Sequence, residues 1–389
     1  MPPEMRTDGL HTYIEGRNGE EGGWIRIADP FATPARVSDP RTGGAYGLRI
    51  EFADEQRRDK ATVIPAAAFH GNPREICATL GALGLYINRE YQDELIDHLQ
   101  RAMQRAPSAD LALSPGWLTP TVYVLPDGVF GAQQNGRKVY FGADTPDDTR
   151  AARGALADWQ REIARLCLGN SRLITAMCAA LAGPLMADAG ESSGGVHFHG
   201  STTTGKTTVL AVGNSVRGGG DPHTWRMSTN GMEPLLAGQT DGTVFLDEIG
   251  QADARAIAEL IYTASNGTGK HRMTRELRAA PSLRWRVMLV SSGEHTLEAY
   301  ARRAGITLPG GAAVRIIDVP GDAGKGLGVF EELHGSESAG AFADRLRSAA
   351  RQYCGTDVYK RQALRLVTLT LAVRVVYRAS WVLSSSMVT

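Results

Sequence analysis

Apolar and polar positions fall into three successive regimes along the chain. From Trp24 to about Gly142, apolar residues alternate with polar ones in short runs. These are Trp24-Ile25-Arg26-Ile27, Gly47-Leu48-Arg49-Ile50-Glu51-Phe52 and Thr121-Val122-Tyr123-Val124-Leu125, the last closed by Pro126-Asp127-Gly128. Alternation with period two marks a half-buried strand, and the proline and glycine end it. Between these runs, residues 72–83 and 90–106 repeat at helical spacing. Residues 23–145 are therefore expected to form an α+β domain. His70 and Asp93 stand isolated there and read as surface or capping groups.

The pattern then turns helical. Leu156, Trp159, Ile163, Leu166 and Cys167 make one apolar stripe, and residues 173–186 continue it, so 146–190 is expected as a helical packing segment. Beyond it come runs of strand formers: Val196-His197-Phe198-His199, Thr243-Val244-Phe245-Leu246, Val287-Met288-Leu289-Val290 and Val314-Arg315-Ile316-Ile317-Asp318-Val319. Helical pieces near 207–212, 232–236, 257–264 and 297–303 separate them. Near-continuous apolar strands alternating with helices predict an α/β core on a parallel sheet, placed at 191–335. Residues 339–353 give a last amphipathic helix, read as a partial lid within 336–354.

The ends read differently. Residues 1–22 are polar, lack the apolar core of a signal peptide, and are expected as a flexible leader. Asp357-Val358-Tyr359-Lys360-Arg361-Gln362 resembles a translated library-adapter peptide, and 355–389 is read as an artefactual tail without function. Lys+Arg and Asp+Glu are equal at 42 each, so a nucleic-acid contact must come from a local patch. Four cysteines without CxxC spacing point to free thiols in a reducing, cytoplasmic setting. No uncharged apolar run is long enough to predict a membrane span.

Chemistry enters at the first strand of the α/β core. It runs into Gly200-Ser201-Thr202-Thr203-Thr204-Gly205-Lys206-Thr207-Thr208, which fits a glycine, four residues, then Gly-Lys-Ser/Thr. Backbone N–H groups of such a loop wrap phosphates, and the following helix points its positive end at them. Lys206 is expected to reach the β- and γ-phosphates of ATP, and Thr207 to hold Mg²⁺. The run ending Leu246-Asp247-Glu248 supplies the second half. Asp247 is expected to hold Mg²⁺, and Glu248 to polarise the water that attacks the γ-phosphate. Ser292, at the next strand end, is a candidate for bonding that phosphate or water, with capping of the turn as the plain alternative.

Lys270, Arg272, Arg275, Arg278, Arg284 and Arg286, opposed only by Glu276, form a basic segment. Residues 271–274 and 283–287 are expected to pair around a turn near Ala279-Ala280-Pro281, giving a hairpin whose Lys270, Arg272, Arg275 and Arg278 contact a phosphate backbone. Arg315 is the candidate finger toward a neighbouring subunit's nucleotide, with Arg302 and Arg303 competing.

These residues together resemble the family filed as domain of unknown function 927, which includes predicted Cch-like helicases of mobile elements. The likeness runs through Val63-Ile64-Pro65, Gly116-Trp117, the loop at 200–208, Trp225-Arg226 and Asn230-Gly231-Met232-Glu233. It continues through Leu246-Asp247-Glu248, Gly269-Lys270, Trp285-Arg286, Ser292-Gly293-Glu294 and Val314-Arg315. The resemblance implies an AAA+-like P-loop motor, a hexameric ring and a DNA helicase or translocase, working in replication or mobilisation of a phage, plasmid or genomic island. A primase or replication initiator is the partner it implies. The family usually extends further, with a C-terminal lid or DNA-binding part. Two other readings compete: a nucleotide-dependent assembly switch that unwinds nothing, and a small-molecule kinase. A water-activating glutamate directly after the metal aspartate argues against the kinase.

Overall fold

The computed structural model describes residues 5–7, 12–15, 24–126, 128–131, 136–142, 152–218, 221–252, 256–270, 272–273, 279–280, 282–303, 305 and 315–355. Internal contacts divide the chain into two units, Met1–Leu113 with Ala132–Asp144, and Ser114–Gly131 with Thr145–Thr389.

In the first unit, β1 (Met5–Thr7), β2 (Thr12–Glu15) and β3 (Trp24–Ala28) form an antiparallel sheet in that order. Residues 1–22, expected as a leader, thus contribute two strands. Their pairing rests on main-chain partners such as Tyr13 with Arg26 and Ile14 with Ile25, and a polar composition does not announce it. Next come β4 (Phe31–Asp39), β5 (Gly44–Ala53), β6 (Asp59–Pro65), α1 (Pro73–Ala82), α2 (Gln92–Arg105) and β7 (Ser108–Ala112). The chain leaves for β8 (Gly116–Thr119), β9 (Val122–Leu125) and β10 (Gly128–Gly131), then returns as β11 (Val139–Phe141).

The second sheet of this unit has the order β11-β7-β4-β5-β6. β4, β5 and β6 are antiparallel neighbours, while β7 and β11 join in parallel. The alternation at 47–52 is realised: Leu48, Ile50 and Phe52 point into a core shared with Ile76, Leu80, Leu95 and Leu99 of the two helices. Asn72 starts α1 by accepting from the Arg74 amide, with proline in the first turn, where its missing N–H costs nothing.

The antiparallel set β8–β10 falls with the second unit, although its strand pattern groups it with residues 23–145. A buried carboxylate explains the difference. Asp241 accepts from the Trp117 amide at 3.0 Å, and its own carbonyl accepts from the Tyr123 hydroxyl at 2.7 Å. Gly116 has φ 99°, and a Cβ there would meet Asp241 at 2.7 Å, so this approach requires glycine.

The second unit continues with α3 (Leu156–Trp159, extended through the π-turn Gln160–Ala164 into Arg165–Cys167) and α4 (Ser171–Ala182). Then follow β12 (Gly194–His199), α5 (Lys206–Ser215), β13 (His223–Thr224), α6 (Thr229–Ala237), β14 (Gly242–Asp247) and α7 (Ile257–Asn266). The remainder is β15 (Arg272–Met273), β16 (Ala279–Ala280), β17 (Val287–Gly293), α8 (Leu297–Arg303), β18 (Ile316–Pro320) and α9 (Ala339–Gln352).

Five strands make a sheet of order β13-β14-β17-β12-β18, parallel at every pair. Both faces are covered, which is why its strands read as apolar runs. One face packs Phe198, Phe245 and Val290 against Ile163, Leu173, Val209, Leu210 and Leu346. The other packs Val244, Leu246 and Leu289 against Met232, Leu236, Leu260 and Ile261. Cys77, Cys167 and Cys354 are buried free thiols, and Cys178 is free but exposed. Among the described residues, no helix is long and apolar enough to cross a membrane.

Candidate functional site

In a parallel sheet, every strand delivers its C-terminal end to one edge, and ligands bind in the crevice there. Here that edge gathers the residues after His199, Asp247, Gly293 and Pro320. The loop after β12 needs unusual backbone. Gly200 has φ 148°, Thr203 φ 64°, and Gly205, in the left-handed region, caps α5. A Cβ on Gly205 would stand 2.8 Å from Val329 Cγ2, so space and φ both exclude a larger residue.

Lys206 opens α5 and folds back into the loop. Its ammonium donates to the carbonyls of Gly200 at 2.8 Å and Ser201 at 2.7 Å. Burial pulls this ammonium below its usual range, while Glu248, Glu294 and Asp247 pull it back up. The lysine and all three carboxylates therefore share one electrostatic neighbourhood. Thr207 is exposed at the first turn of α5. Thr208 is fully buried, and its hydroxyl has no hydrogen-bond partner among the described residues. Ser201, Thr202 and Thr203 are exposed along the loop, and Thr204 turns its hydroxyl to the Ser201 carbonyl at 3.1 Å.

Asp247 ends β14, and Glu248 follows with φ 53°, a strained value for a residue with a Cβ. Ser292 of β17 holds both. Its hydroxyl donates to Asp247 Oδ1 and accepts from the Glu248 amide at 3.0 Å. A hydroxyl has a single proton to give. That proton is spent on Asp247, so Ser292 positions the two acids, and a phosphate or water is not its hydrogen-bond acceptor here. The donors suited to a metal are the Thr207 hydroxyl and the Asp247 carboxylate. Magnesium takes few protein oxygens alongside those of a phosphate chain, and this pair fits it. No cluster of three or more His, Cys, Asp or Glu able to hold a metal occurs among the described residues.

The other candidates lie apart from this centre. Arg315 precedes β18 at the opposite edge of the sheet, beside Gly194, and donates to the Ser265 carbonyl at 3.0 Å. Its guanidinium is thus engaged within its own chain. Arg302 and Arg303 are exposed at the end of α8, with Arg302 paired to Glu298 at 2.7 Å.

The basic hairpin has a different register from the expected one. Arg272 pairs with Ala280, Met273 with Ala279, and a bridge joins Thr268 to Arg284. The pairing therefore joins 272–273 to 279–280, in place of 271–274 to 283–287. Residues 283–285 are taken by the end of α7, where Gly269 donates to Leu283 and Trp285 to Gly267. Lys270 is ion-paired with Glu259, and Arg286 with Asp241 at 2.7 Å, so two of the basic residues are neutralised in the chain. Arg275 and Arg278 lie outside the described residues, as does the tail from 356 onward.

One neighbour of the loop has a sequence signal that local periodicity passes over. Gly321-Asp322-Ala323-Gly324-Lys325-Gly326-Leu327-Gly328 forms a second glycine-rich loop, with positive φ at Gly324, Gly326 and Gly328. It docks on the first loop: Gly321 donates to His199 at 2.7 Å and Val329 to Thr204 at 2.9 Å. Arg172 of α4 fixes it from behind through the carbonyls of Pro320 and Asp322. Lys325 is exposed midway along it and makes no ion pair among the described residues.

A parallel sheet whose ligand edge carries a strand–glycine loop–helix unit beside adjoining carboxylates defines a mixed α/β protein of a helicase-like fold. The chain belongs to the family described as domain of unknown function (DUF927), whose model matches residues 4–280. A solved structure described as "SCCmec type IV Cch - active helicase" has the same fold, with TM-score 0.70 and 19% identity, covering 94% of this chain and 66% of that one. This chain thus spans just under two thirds of that structure. The apo A form of the NrS-1 C-terminal region is more distant, with TM-score 0.32 and 10% identity over 82% of this chain and 69% of that one. NtrX from Brucella abortus in complex with ADP gives TM-score 0.27 and 14% identity, covering 47% and 48%. No curated protein matches the chain.

Proposed function

We propose that the chain is an ATP-hydrolysing, AAA+-like P-loop motor that moves on or unwinds DNA. The observation that carries this reading is the meeting of the Lys206 ammonium with Asp247 and Glu248 at one edge of a parallel sheet, on two separate segments. The loop 200–205 and the first turn of α5 would wrap the phosphate chain. The Lys206 ammonium would exchange its carbonyl partners for phosphate oxygens, which repay its desolvation better. Magnesium, held by Thr207 and Asp247, would neutralise the phosphate oxygens. Glu248, aimed by its strained backbone and the Ser292 hydroxyl, would take a proton from the attacking water. Lys325 would add a second cation from the adjoining loop.

DNA enters through the family and through the fold shared with a structure described as an active helicase. Ring assembly, most plainly a hexamer, follows from the same reading, because the exposed Arg302 and Arg303 would then face a neighbouring subunit's nucleotide. A primase or replication initiator as partner belongs to the reading too. The test is steady-state ATPase activity of the whole chain with and without single-stranded DNA, beside Glu248→Gln. Stimulation in the parent and none in the variant is the expected result. Turnover indifferent to DNA, with oligomer size set by ATP, would replace the motor by an assembly switch.

A further inference from the structure

The first unit holds a cavity of about 720 Å³ that the ATPase reading leaves unused. It lies between β4, the start of β5 and the last turns of α2. Among the described residues its wall includes Arg36, Arg137, Tyr46, Gln104, His70 and Ser108, and no carboxylate. This volume falls within the ~300–1,000 Å³ typical of ligand sites.

Arg36 is exposed and commits only Nε, to the Ser108 hydroxyl at 2.9 Å, leaving both terminal nitrogens without a partner among the described residues. Arg137 gives one terminal nitrogen to Asp110 at 3.1 Å, but its Nε is buried with no partner among the described residues. The other terminal nitrogen of Arg137 and both of Arg36 are left to meet acceptors of a ligand at the cavity wall. Tyr46 is 61% exposed, an aromatic face presented beside two guanidinium groups. Amide and hydroxyl side chains, with the apolar Val37, Phe69 and Met103, fill out the wall.

From this geometry we infer that the cavity is a groove for single-stranded DNA, with Arg36 and Arg137 on the phosphates and Tyr46 stacking a base. The choice of DNA as occupant rests on the proposed motor function. A free phosphate group fits less well. No glycine among the described residues lines the cavity to let a turn wrap a dianion. A strand carries its charges one at a time along the groove, and its bases are unpaired and open to an aromatic face. A duplex keeps its bases stacked inside and would leave Tyr46 idle.

The test uses the full chain and fluorescein-labelled oligo-dT, read by anisotropy without added nucleotide. Arg36→Ala and Tyr46→Ala change exposed side chains, and far-UV circular dichroism checks that the fold survives. Each is expected to weaken binding roughly tenfold, Tyr46→Phe to restore it, and Arg36→Ala to flatten the salt dependence by about 0.7 in log–log slope. Double-variant affinity within twofold of the parent would overturn the groove while leaving the ATPase reading intact. Displacement of the strand by free dTMP at equal nucleotide concentration would overturn it in favour of a small-ligand site. If the parent binds no strand with or without ATP, both readings fall.

Discussion

Acid should weaken the parallel-sheet unit through one residue, His197. It is fully buried on β12, with Nε2 2.9 Å from the His295 carbonyl and Nδ1 2.9 Å from the Ser291 hydroxyl. A carbonyl only accepts, so Nε2 carries the proton. Nδ1 then accepts from Ser291, whose oxygen accepts in turn from the Trp225 indole at 2.9 Å. A second ring proton would face the Ser291 proton in a fully buried site. Desolvation, opposed only in part by the His295 carbonyl and assisted by His199 and Lys206, pushes the pKa from 6.5 to about 4.

The sign follows from which state takes the proton. Above the unfolded pKa both states are neutral, and His197 lends no pH dependence. As the pH falls from 6.5 toward 4, the unfolded chain binds a proton that the folded chain refuses, so stability drops; below 4 the loss levels off. Two and a half pKa units correspond to about 3 kcal/mol at the limit, and about 2 kcal/mol is already lost near pH 5. Urea unfolding at about pH 7.5 and about pH 5, in the parent and in His197→Asn, isolates the term. The variant loses a hydrogen bond at both pH values but no longer titrates. The parent should therefore lose about 2 kcal/mol more than the variant on acidification. Parallel pH dependence in the two proteins would refute the tautomer and the network built on it.

Three further outcomes follow from named contacts. Ser292→Ala frees Asp247 and Glu248 from their shared hydroxyl and should lower kcat roughly 10–100-fold with nucleotide affinity nearly kept; an unchanged kcat would show that the acids need no such support. Lys325→Ala should raise the KM for ATP by roughly tenfold without altering the melting temperature, and an unchanged KM would remove the second loop from the site. Asp241→Ala strands the Arg286 guanidinium and the Trp117 amide and should cost about 2–4 kcal/mol by thermal unfolding; a loss below about 0.5 kcal/mol would mean this node does not hold β8–β10.

What the sequence discloses here divides by range of interaction. Buried parallel strands announce themselves as apolar runs, and Gly205-Lys206-Thr207 and Asp247-Glu248 carry their spacing in plain view. Pairings that depend on a distant partner do not. Thr12–Glu15 pairs through its backbone with Trp24–Ala28, which no side-chain period encodes. The hairpin register is set by where α7 ends, which residues 271–287 alone cannot reveal. Arg315 and Lys270 look like free cations until Ser265 and Glu259 are seen beside them. The loop at 321–328 was equally hidden, since its glycines matter only because Thr204 and His199 lie against them.

Tryptophans and an arginine of the family resemblance hold strands together, while the loop at 200–208 and Asp247-Glu248 stand where chemistry would occur. Trp117 and Arg286 meet on Asp241, and Trp225 meets His197 on Ser291. The consecutive serines of β17 show how the two roles join. Side chains on a strand alternate between faces, so Ser291 and Ser292 point to opposite sides of one short segment. Ser291 is locked into the buried network of β12 and Trp225, and Ser292 grips the two carboxylates. A shift of Asp247 or Glu248 would pull on Ser292, and through one peptide unit on Ser291. The end of β17 thus joins the acids to that network by one hydrogen bond and one peptide unit, and it leads directly into Glu294 and α8, where Arg302 and Arg303 are exposed. On the motor reading, that path would carry the state of one nucleotide to the surface offered to the next subunit.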